Sequence, residues 1–306
     1  MPTFDAATAA ALKALSVPSD ARGLAQLAAH LGLIAAAGAL VWLTRDSLWV
    51  LPALLAEGVA LVFLFCALHE AVHFTPFAAR GLNRALAWLC GLVILIPPRW
   101  FRHFHLAHHR WTQDSARDPE LATPRPQGLG AYLLHVSGLP LWRGTVATIL
   151  RNAAGRNADA FVPPRERRAV AAEARIMLAV YALVAALSLA FQSWAAVWLW
   201  LLPLLVGQPL LRLYLLAEHT GCPEVADPLA NSRTTRTGPL LRLLAWNMPY
   251  HAEHHAWPAA PFHALPAVHR LLGEGVKVRA ASYRAASRDV RRALGVSRRP
   301  GAAAGI

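Results

Sequence analysis

Residues 48–73 decide the fold, and they read LWVLPALLAEGVALVFLFCALHEAVH. Residues 48–68 are apolar apart from Glu57, and about 20 such residues are enough for a helix to cross a bilayer. The stretch ends in His69-Glu-Ala-Val-His73, whose two histidines are four residues apart and therefore share one helix face. The sequence predicts a membrane-spanning helix that carries a pair of imidazoles at one end.

The composition of the whole chain agrees with a membrane protein. The 306 residues are 56% hydrophobic and 15% charged, whereas soluble domains average about 45–50% apolar and about 25% charged residues. The three cysteines, Cys66, Cys90 and Cys222, are too few and too far apart for a disulfide framework. The hydrophobic content also excludes an intrinsically disordered chain.

Further apolar stretches complete the predicted architecture. We expect an all-α integral membrane protein with four transmembrane helices and a His-rich cytoplasmic helical cap. The predicted spans are residues 24–43, 48–68, 169–191 and 194–217. Residues 85–96 are too short to cross and are predicted to be interfacial or half-inserted. Residues 129–150 mix apolar residues with His135 and Arg143, which indicates a surface-lying helix pair.

The net charge of +13 predicts the orientation. Apart from Arg45, the Lys and Arg residues fall in the N-terminus, the long central loop, the C-terminal tail or adjoining span ends. The positive-inside rule therefore predicts that both termini and residues 69–168 are cytoplasmic. A nucleic-acid partner is not expected, because no basic module with interleaved aromatic residues is visible.

The sequence predicts that the chain has three parts. Residues 1–23 form a cytoplasmic N-terminal segment, residues 24–270 a membrane domain, and residues 271–306 a basic cytoplasmic tail. The Arg-rich tail is expected either to bind lipid headgroups or to be disordered. The excess of Arg over Lys is typical of a high-GC bacterial gene, so a bacterial inner membrane is the expected location.

Nine of the 14 histidines cluster near span ends or in the predicted cytoplasmic segments. They form His-Glu-Ala-Val-His (69–73), His-Leu-Ala-His-His (105–109) and His-Ala-Glu-His-His (251–255), with His219 at the end of the last span. On a helix, each box can direct two or three imidazoles at one place. Nine imidazoles exceed the needs of one metal ion and suit two. Of the other five, His30, His135, His263 and His269 are expected to be structural, and His103 is left out because it points away from His105.

The order HxxxH, HxxHH, HxxHH over four apolar spans resembles the membrane fatty acid desaturase family and its related hydroxylases and ketolases. Residues 108–114 (HHRWTQD), followed by Asp118-Pro119, and residues 246–258 (WNMPYHAEHHAWP) also resemble that family. The resemblance implies two non-haem iron ions, O₂ as co-substrate and a hydrocarbon substrate. It implies the metal ligands His69, His73, His105, His108, His109, His219, His251, His254 and His255.

Other polar residues near the boxes are candidates for metal binding or for orienting the ligands. In acyl-CoA desaturases an Asn lies four residues before the ninth histidine, but that position here is Leu215. Asn247, four residues before His251, is a candidate replacement or a helix N-cap. The candidate acidic residues are Glu70, Asp114, Asp118, Glu218 and Glu253, each of which could pair with an arginine instead. Mid-span Glu57 is expected to be protonated and bonded inside the bundle.

The resemblance implies an O₂-dependent desaturase that introduces a double bond into a fatty acyl chain of a lipid. A hydroxylase or ketolase of a lipid, carotenoid or alkane is the alternative on the same scaffold. More distant are an intramembrane zinc protease using His-Glu-Ala-Val-His, although spans three and four lack an Asp, and a non-catalytic metal-binding membrane protein. No cytochrome b5 motif is present, so an external electron donor such as a ferredoxin is expected.

Overall fold

The computed structural model describes residues 4–296, and nearly all of its regular structure is helical. The helices are, in chain order, α1 (Ala6–Leu15), α2 (Asp20–Thr44), α3 (Val50–Val62), α4 (Leu64–His73), α5 (Arg80–Val93), α6 (Pro98–Trp111), α7 (Gly128–Val136), α8 (Leu139–Ala153), α9 (Arg167–Ala190), α10 (Leu202–His219), α11 (Pro228–Asn231), α12 (Pro239–Leu244), α13 (His251–Ala256), α14 (Leu265–Leu272) and α15 (Tyr283–Ala293). Two short strands, β1 (Arg233–Thr235) and β2 (Val278–Ala280), complete the described part.

Four helical segments in the described residues are long and apolar enough to cross a membrane, as predicted. They are Asp20–Thr44, Val50–His73, Pro164–Ala190 and Val197–His219. The first begins before the predicted residue 24 because the Ser19 hydroxyl accepts a hydrogen bond from the Arg22 N–H and caps the helix. The second continues through the first histidine box, and the fourth starts with a π-helical stretch, Val197–Leu201.

The two shorter apolar segments are also helical. A 101° bend separates α5 from α6, which makes the pair a broken span or a re-entrant loop. Pro97 and Pro98 cause this bend, because proline cannot continue the α5 hydrogen-bond ladder but suits the first turn of a new helix. The surface-lying pair predicted at 129–150 corresponds to α7 and α8, which meet at Gly138 with φ of 76°.

The centre of the bundle is the contact between α3 and α10. Gly58 and Gly207 face each other so closely that a Cβ on Gly58 would lie 2.2 Å from the Pro203 carbonyl oxygen. Near this contact, Glu57 is 2% exposed and lies against Gly38 of α2. His30 is a buried structural residue, as expected: its ring bonds the Ala60 carbonyl and accepts from the Trp246 indole. The core therefore holds α2, α3 and α10 together.

The strands tie the C-terminal part to this bundle. β1 and β2 pair in parallel, with Thr234 opposite Arg279. The following helix, α15, packs on α10 through a cluster that includes Leu216, Val290 and Leu294. Disorder is therefore the wrong alternative for the tail as far as residue 296, because its apolar residues have a surface to cover. Residues 297–306 of that tail lie outside the described residues, and the three predicted domain limits stay predictions.

Candidate metal centre

Four helices bring the histidine boxes to one region. His69 and His73 end α4, the second box lies on α6, His219 ends α10, and the third box forms most of α13. The box positions follow from local structure, since α6 starts at Pro98 and α13 follows the turn at Trp246 and Asn247, whose φ values are 50° and 57°. All nine predicted histidines lie in one continuous cluster of imidazoles.

The first group contains five histidines whose candidate ligand atoms all lie within 4.8 Å of one another. Its members are His69, His73, His105, His109 and His254. Their Nε2 atoms converge: His105 Nε2 is 2.8 Å from His73 Nε2 and 3.0 Å from His109 Nε2. His109 Nε2 is in turn 3.1 Å from His254 Nε2. Every box contributes to this group.

The second group is smaller and contains His108, His219 and His255. His108 Nε2 lies 3.2 Å from His219 Nε2. His251 adjoins the group, because its Nε2 atom is 2.9 Å from His219 Nε2 and its ring centroid is 4.5 Å from that of His255. The structure thus places His219, isolated in sequence, beside members of the second and third boxes.

Each box directs two imidazoles at one group, as its spacing allows, but the third imidazole of the second and third boxes belongs to the other group. On α6, His105 and His109 join the first group whereas His108 joins the second. Consecutive helix positions are about 100° apart, so adjacent histidines diverge to opposite sides of a shared face. The same divergence separates His254 from His255 on α13.

The donor set fits metal ions. When two nitrogens each lie about 2.1 Å from one metal ion and the N–metal–N angle is about 90°, the nitrogens are about 3 Å apart. This separation matches the Nε2 distances in the first group. Both ring nitrogens of His69 are buried without a hydrogen-bond partner among the described residues. His255 Nε2 is likewise unpartnered there. Buried polar atoms are normally satisfied, so a cation shared by the rings would account for His255 Nε2 and for one of the two His69 nitrogens.

Three rings are oriented by hydrogen bonds at Nδ1, which leaves Nε2 free as a donor to a metal. The His255 ring is one of them, with Nδ1 3.2 Å from the Thr112 hydroxyl. His108 Nδ1–H donates to Asp118 Oδ1 at 3.0 Å, and His219 Nδ1–H donates to the Asn231 carbonyl at 3.2 Å. The Glu218 carboxyl lies 3.5 Å from His251 Nδ1. Hydrogen-bond partners such as Asp118 fix the tautomer and the direction of a ligating ring, whereas His251 Nδ1 makes no hydrogen bond among the described residues.

The remaining acidic candidates are engaged elsewhere. Glu70 is buried and accepts hydrogen bonds from the Thr75 hydroxyl and the Phe262 N–H. Asp114 pairs with Arg117 at the surface. Glu253 accepts from the Thr234 hydroxyl and from His269, a histidine outside the boxes.

Asn247 is also held by other residues. Its amide donates to the Phe262 carbonyl, and its side-chain oxygen accepts from Arg242. The first turn of α13 is preceded by Tyr250 rather than by Asn247. Asn247 therefore shapes the loop before α13, and its side chain makes no hydrogen bond to a histidine among the described residues.

Sequence reasoning missed the role of β1. Arg233 is 3% exposed and donates to the carbonyls of Ala217 and Thr220, at the end of α10 that bears His219. Thr234 bonds Glu253 of α13. No spacing rule indicates these residues, because their partners are distant in sequence and the strand is only three residues long. β1 thus connects α10 with the third box.

Burial keeps the α13 imidazoles in the form that binds metal. Desolvation lowers the pKa of His251, His254 and His255 well below the usual range, and neighbouring histidines lower it further. A neutral ring offers a lone pair, whereas an imidazolium does not. These three histidines are therefore ready ligands near neutral pH.

Comparison with known proteins identifies the family. Residues 46–287 match the family model described as fatty acid desaturase, so the chain belongs to the fatty acid desaturase family. The chain is also similar to the sphingolipid delta(4)-desaturase DES1 of Drosophila melanogaster, with 28% identity over 243 residues. That alignment covers 76% of this chain and 70% of the relative. Four apolar helices and this membership indicate a membrane-embedded lipid desaturase or a related family member, with histidine groups that fit a metal site.

Proposed function

We propose that this protein is an O₂-dependent di-iron oxidoreductase that introduces a double bond into an acyl chain of a lipid. One observation carries the proposal: histidines from both groups line the same cavity as a set of aromatic side chains. The cavity has a volume of about 460 Å³. His69, His105, His108 and His219 form one part of its wall.

The two groups would each hold one iron ion. Imidazole is a good ligand for iron, and the nine predicted histidines provide five ligands in the first group and three in the second, with His251 beside the latter. Bound iron would supply the activation of O₂ that side chains cannot perform. The protein's own part is to orient the rings, hold the chain and exclude water.

The overall reaction removes two hydrogen atoms from adjacent methylenes. R–CH₂–CH₂–R′, O₂, two electrons and two protons give R–CH=CH–R′ and two molecules of water. The aromatic side chains Phe65, Phe101 and Phe104 line the cavity next to the histidines. Such a surface favours an acyl chain over water, so it would position a methylene near the metal centre.

A second opening suits delivery of the electrons. A cleft of about 800 Å³ is lined by His73, His109 and His255, together with Arg110 and Trp111. It reaches members of both groups. We propose that an external carrier such as a ferredoxin approaches here, steered by the net positive charge of the chain.

The proposed location is a bacterial inner membrane, with both termini and the metal centre on the cytoplasmic side. The distribution of Lys and Arg supports this orientation. In this arrangement the boxes at the ends of α4 and α10 lie at the cytoplasmic surface, within reach of a soluble electron carrier.

Metal analysis of the purified protein, combined with lipid profiling of an expressing host, tests the proposal. We expect about two iron ions per chain and a lipid that has lost two hydrogen atoms. One zinc ion per chain would contradict the di-iron centre. A product that has gained a hydroxyl or keto oxygen would identify a hydroxylase or ketolase instead.

A further inference from the structure

One wall of the cavity beside the histidines is a single face of α6. Trp100, Phe101, Phe104, His105 and His108 line it, and their spacing places them on one side of the helix. Neighbouring rings are nearly parallel: the interplanar angle is 26° between Trp100 and Phe104 and 21° between Phe104 and Phe101. It is 15° between Phe101 and His105. The rings therefore form one continuous surface that leads from Trp100 to the histidines.

Trp100 ends this surface and is held both at its backbone and at its side chain. Its backbone N–H donates to Glu173 Oε1 over 3.4 Å, and its indole Nε1–H donates to Asp159 Oδ2 over 2.7 Å. An indole N–H inside a protein needs an acceptor, and a carboxylate is a strong one. The bond to Asp159 therefore fixes the orientation of the indole ring in the cavity wall.

Asp159 lies in the loop between α8 and α9 and is itself held rigidly. Its Oδ2 atom also accepts from the Arg151 guanidinium at 2.5 Å and from the Asn157 side-chain amide at 3.0 Å. The Asn157 amide donates in addition to Asn152 Oδ1, and both asparagines are buried. The Asp159 side chain is only 16% exposed. The carboxylate is thus a fixed acceptor for the indole rather than a mobile surface group.

Phe161 of the same loop supports the wall from behind. Its ring packs edge to face on Trp100, with centroids 5.6 Å apart, and on Phe104, with centroids 5.5 Å apart. Such edge-to-face pairs are favourable and directional. Asp159 and Phe161 themselves are not among the residues that line the cavity. The loop therefore influences a bound chain only through Trp100 and Phe104.

The length of the wall relates Trp100 to the site of oxidation. Trp100 precedes His105 by five residues and His108 by eight on α6, which corresponds to about 8–12 Å along the helix axis. An extended chain of single bonds advances about 1.2 Å per bond. A chain that lies along the wall therefore has about six to ten bonds between the carbon on Trp100 and the carbon at the histidines.

We infer that Trp100 determines which methylene of the acyl chain reaches the histidines, and that Asp159 and Phe161 position its ring. Trp100 contacts the chain about six to ten bonds from the carbon to be oxidised. This inference rests on the proposed function and deepens it, because it assigns the choice of position along the chain to named residues. Trp100 is a specificity-determining residue, and the two loop residues act without touching the chain.

Binding of an unreactive chain to the full-length protein in detergent tests this inference without turnover. The probe is a monoacylglycerol with a dibrominated stearoyl chain, because bromine quenches the fluorescence of a tryptophan that it contacts. The quenching that is lost in Trp100→Phe belongs to Trp100, and we expect such a component in the unchanged protein. Calorimetry on the same samples gives the affinity for the probe.

Asp159→Ala should weaken binding of this probe about 3- to 10-fold, because the indole loses the acceptor that orients it. Asp159→Asn keeps a side-chain oxygen and should recover part of the loss. In a Trp100→Phe background, Asp159→Ala should have little further effect, since a phenyl ring has no N–H to hold. Asp289→Ala is the matched control: that carboxylate pairs with Arg292 at the surface of α15, so the affinity should not change.

The lipid products provide a readout that a merely structural role would not alter. Asp159→Ala should give double bonds at more than one position of the chain, because a loosely held Trp100 no longer fixes the chain along the wall. General destabilisation of the protein would instead lower the yield of a product with one double-bond position.

Equal affinity of Asp159→Ala and the unchanged protein for the probe would overturn the inference. An equal effect of Asp159→Ala with and without the indole would overturn it too, because Asp159 would then act through Arg151. Absence of quenching at Trp100 would overturn it with no variant of Asp159. The expected binding without any double bond contradicts only the proposed function, whereas a double bond with binding that does not depend on Asp159 contradicts only the inference.

Discussion

His108 and Asp118 form a buried hydrogen bond, in which Nδ1–H donates to Oδ1 over 3.0 Å. The Asp118 side chain is held in place by the N–H groups of Gln113 and Glu120, which also donate to it. A carboxylate can only accept, so it fixes the proton on Nδ1 and leaves Nε2 facing His219. The bond decides which nitrogen of the ring is available to a metal.

Asp118→Asn should weaken metal binding or activity by about 10- to 100-fold, the usual cost of losing a group that orients a ligand. The amide can present its N–H groups to the ring and so favours the wrong tautomer. Iron per chain and product formation would be measured. Asp114→Asn is the matched control, since that carboxylate pairs with Arg117 at the surface. Equal iron content and activity in both variants would refute the role of Asp118.

His108→Ala and His254→Ala should each lower iron content by about half, because they remove ligands from different groups. The residual iron in the two variants should differ in its spectroscopic signature, since different ligand sets remain. His103→Ala is the control on α6, where the ring faces Glu166 instead. Complete retention of iron in both variants would show that the groups are not the metal centre.

Gly58→Ala should destabilise the protein by about 1–3 kcal/mol or more through overpacking. The added Cβ would meet backbone atoms of α10, which cannot rotate away. Thermal unfolding in detergent measures the loss. Gly32→Ala on α2 is the control, because no atom lies within 4 Å of its added Cβ. An unchanged unfolding temperature for Gly58→Ala would contradict the close contact between α3 and α10.

Glu173→Ala should lower the free energy of unfolding by about 1–3 kcal/mol, because the backbone N–H groups of Arg99 and Trp100 lose their acceptor. These groups lie at the first turn of α6, so the loss should also lower metal content. Glu173→Gln keeps an acceptor oxygen, so it should retain most of the stability and most of the metal content. The exposed Glu274→Ala provides the comparison. Full metal content in Glu173→Ala would show that the hydrogen bonds between Glu173 and the first turn of α6 are not needed to position the metal ligands.

The spans and the clustering of histidines could be predicted because both depend on local rules. Apolar length identifies a crossing helix, and i, i+4 spacing places His69 and His73 on one face. The predicted end at Leu68 fell short of the observed helix because the following box is polar yet continues the same hydrogen-bond ladder. Hydropathy reports burial in lipid, not the end of a helix.

The division of the boxes into two groups could not be predicted with the rules applied to one box at a time. Helix geometry predicts that His108 and His109 diverge, but it does not give their partners, which lie on α10 and α13. The same limit applies to Glu253. Its position within the third box predicted that it would orient a box histidine. Its carboxylate instead bonds His269, which lies on α14. Such pairings depend on how distant helices pack.

The parallel pairing of β1 with β2 also has a consequence for biogenesis. Both histidine groups need residues of α13, about 180 positions after the first box, and β1 is paired only after residue 280 has been made. At about 5–20 residues per second, synthesis of that interval takes about 10–40 s. During this time the imidazoles of α4 and α6 have no partners from the third box. If the centre holds iron as proposed, the metal would enter an essentially finished chain, and the incomplete site of the nascent chain would have to be kept from binding competing metals until then.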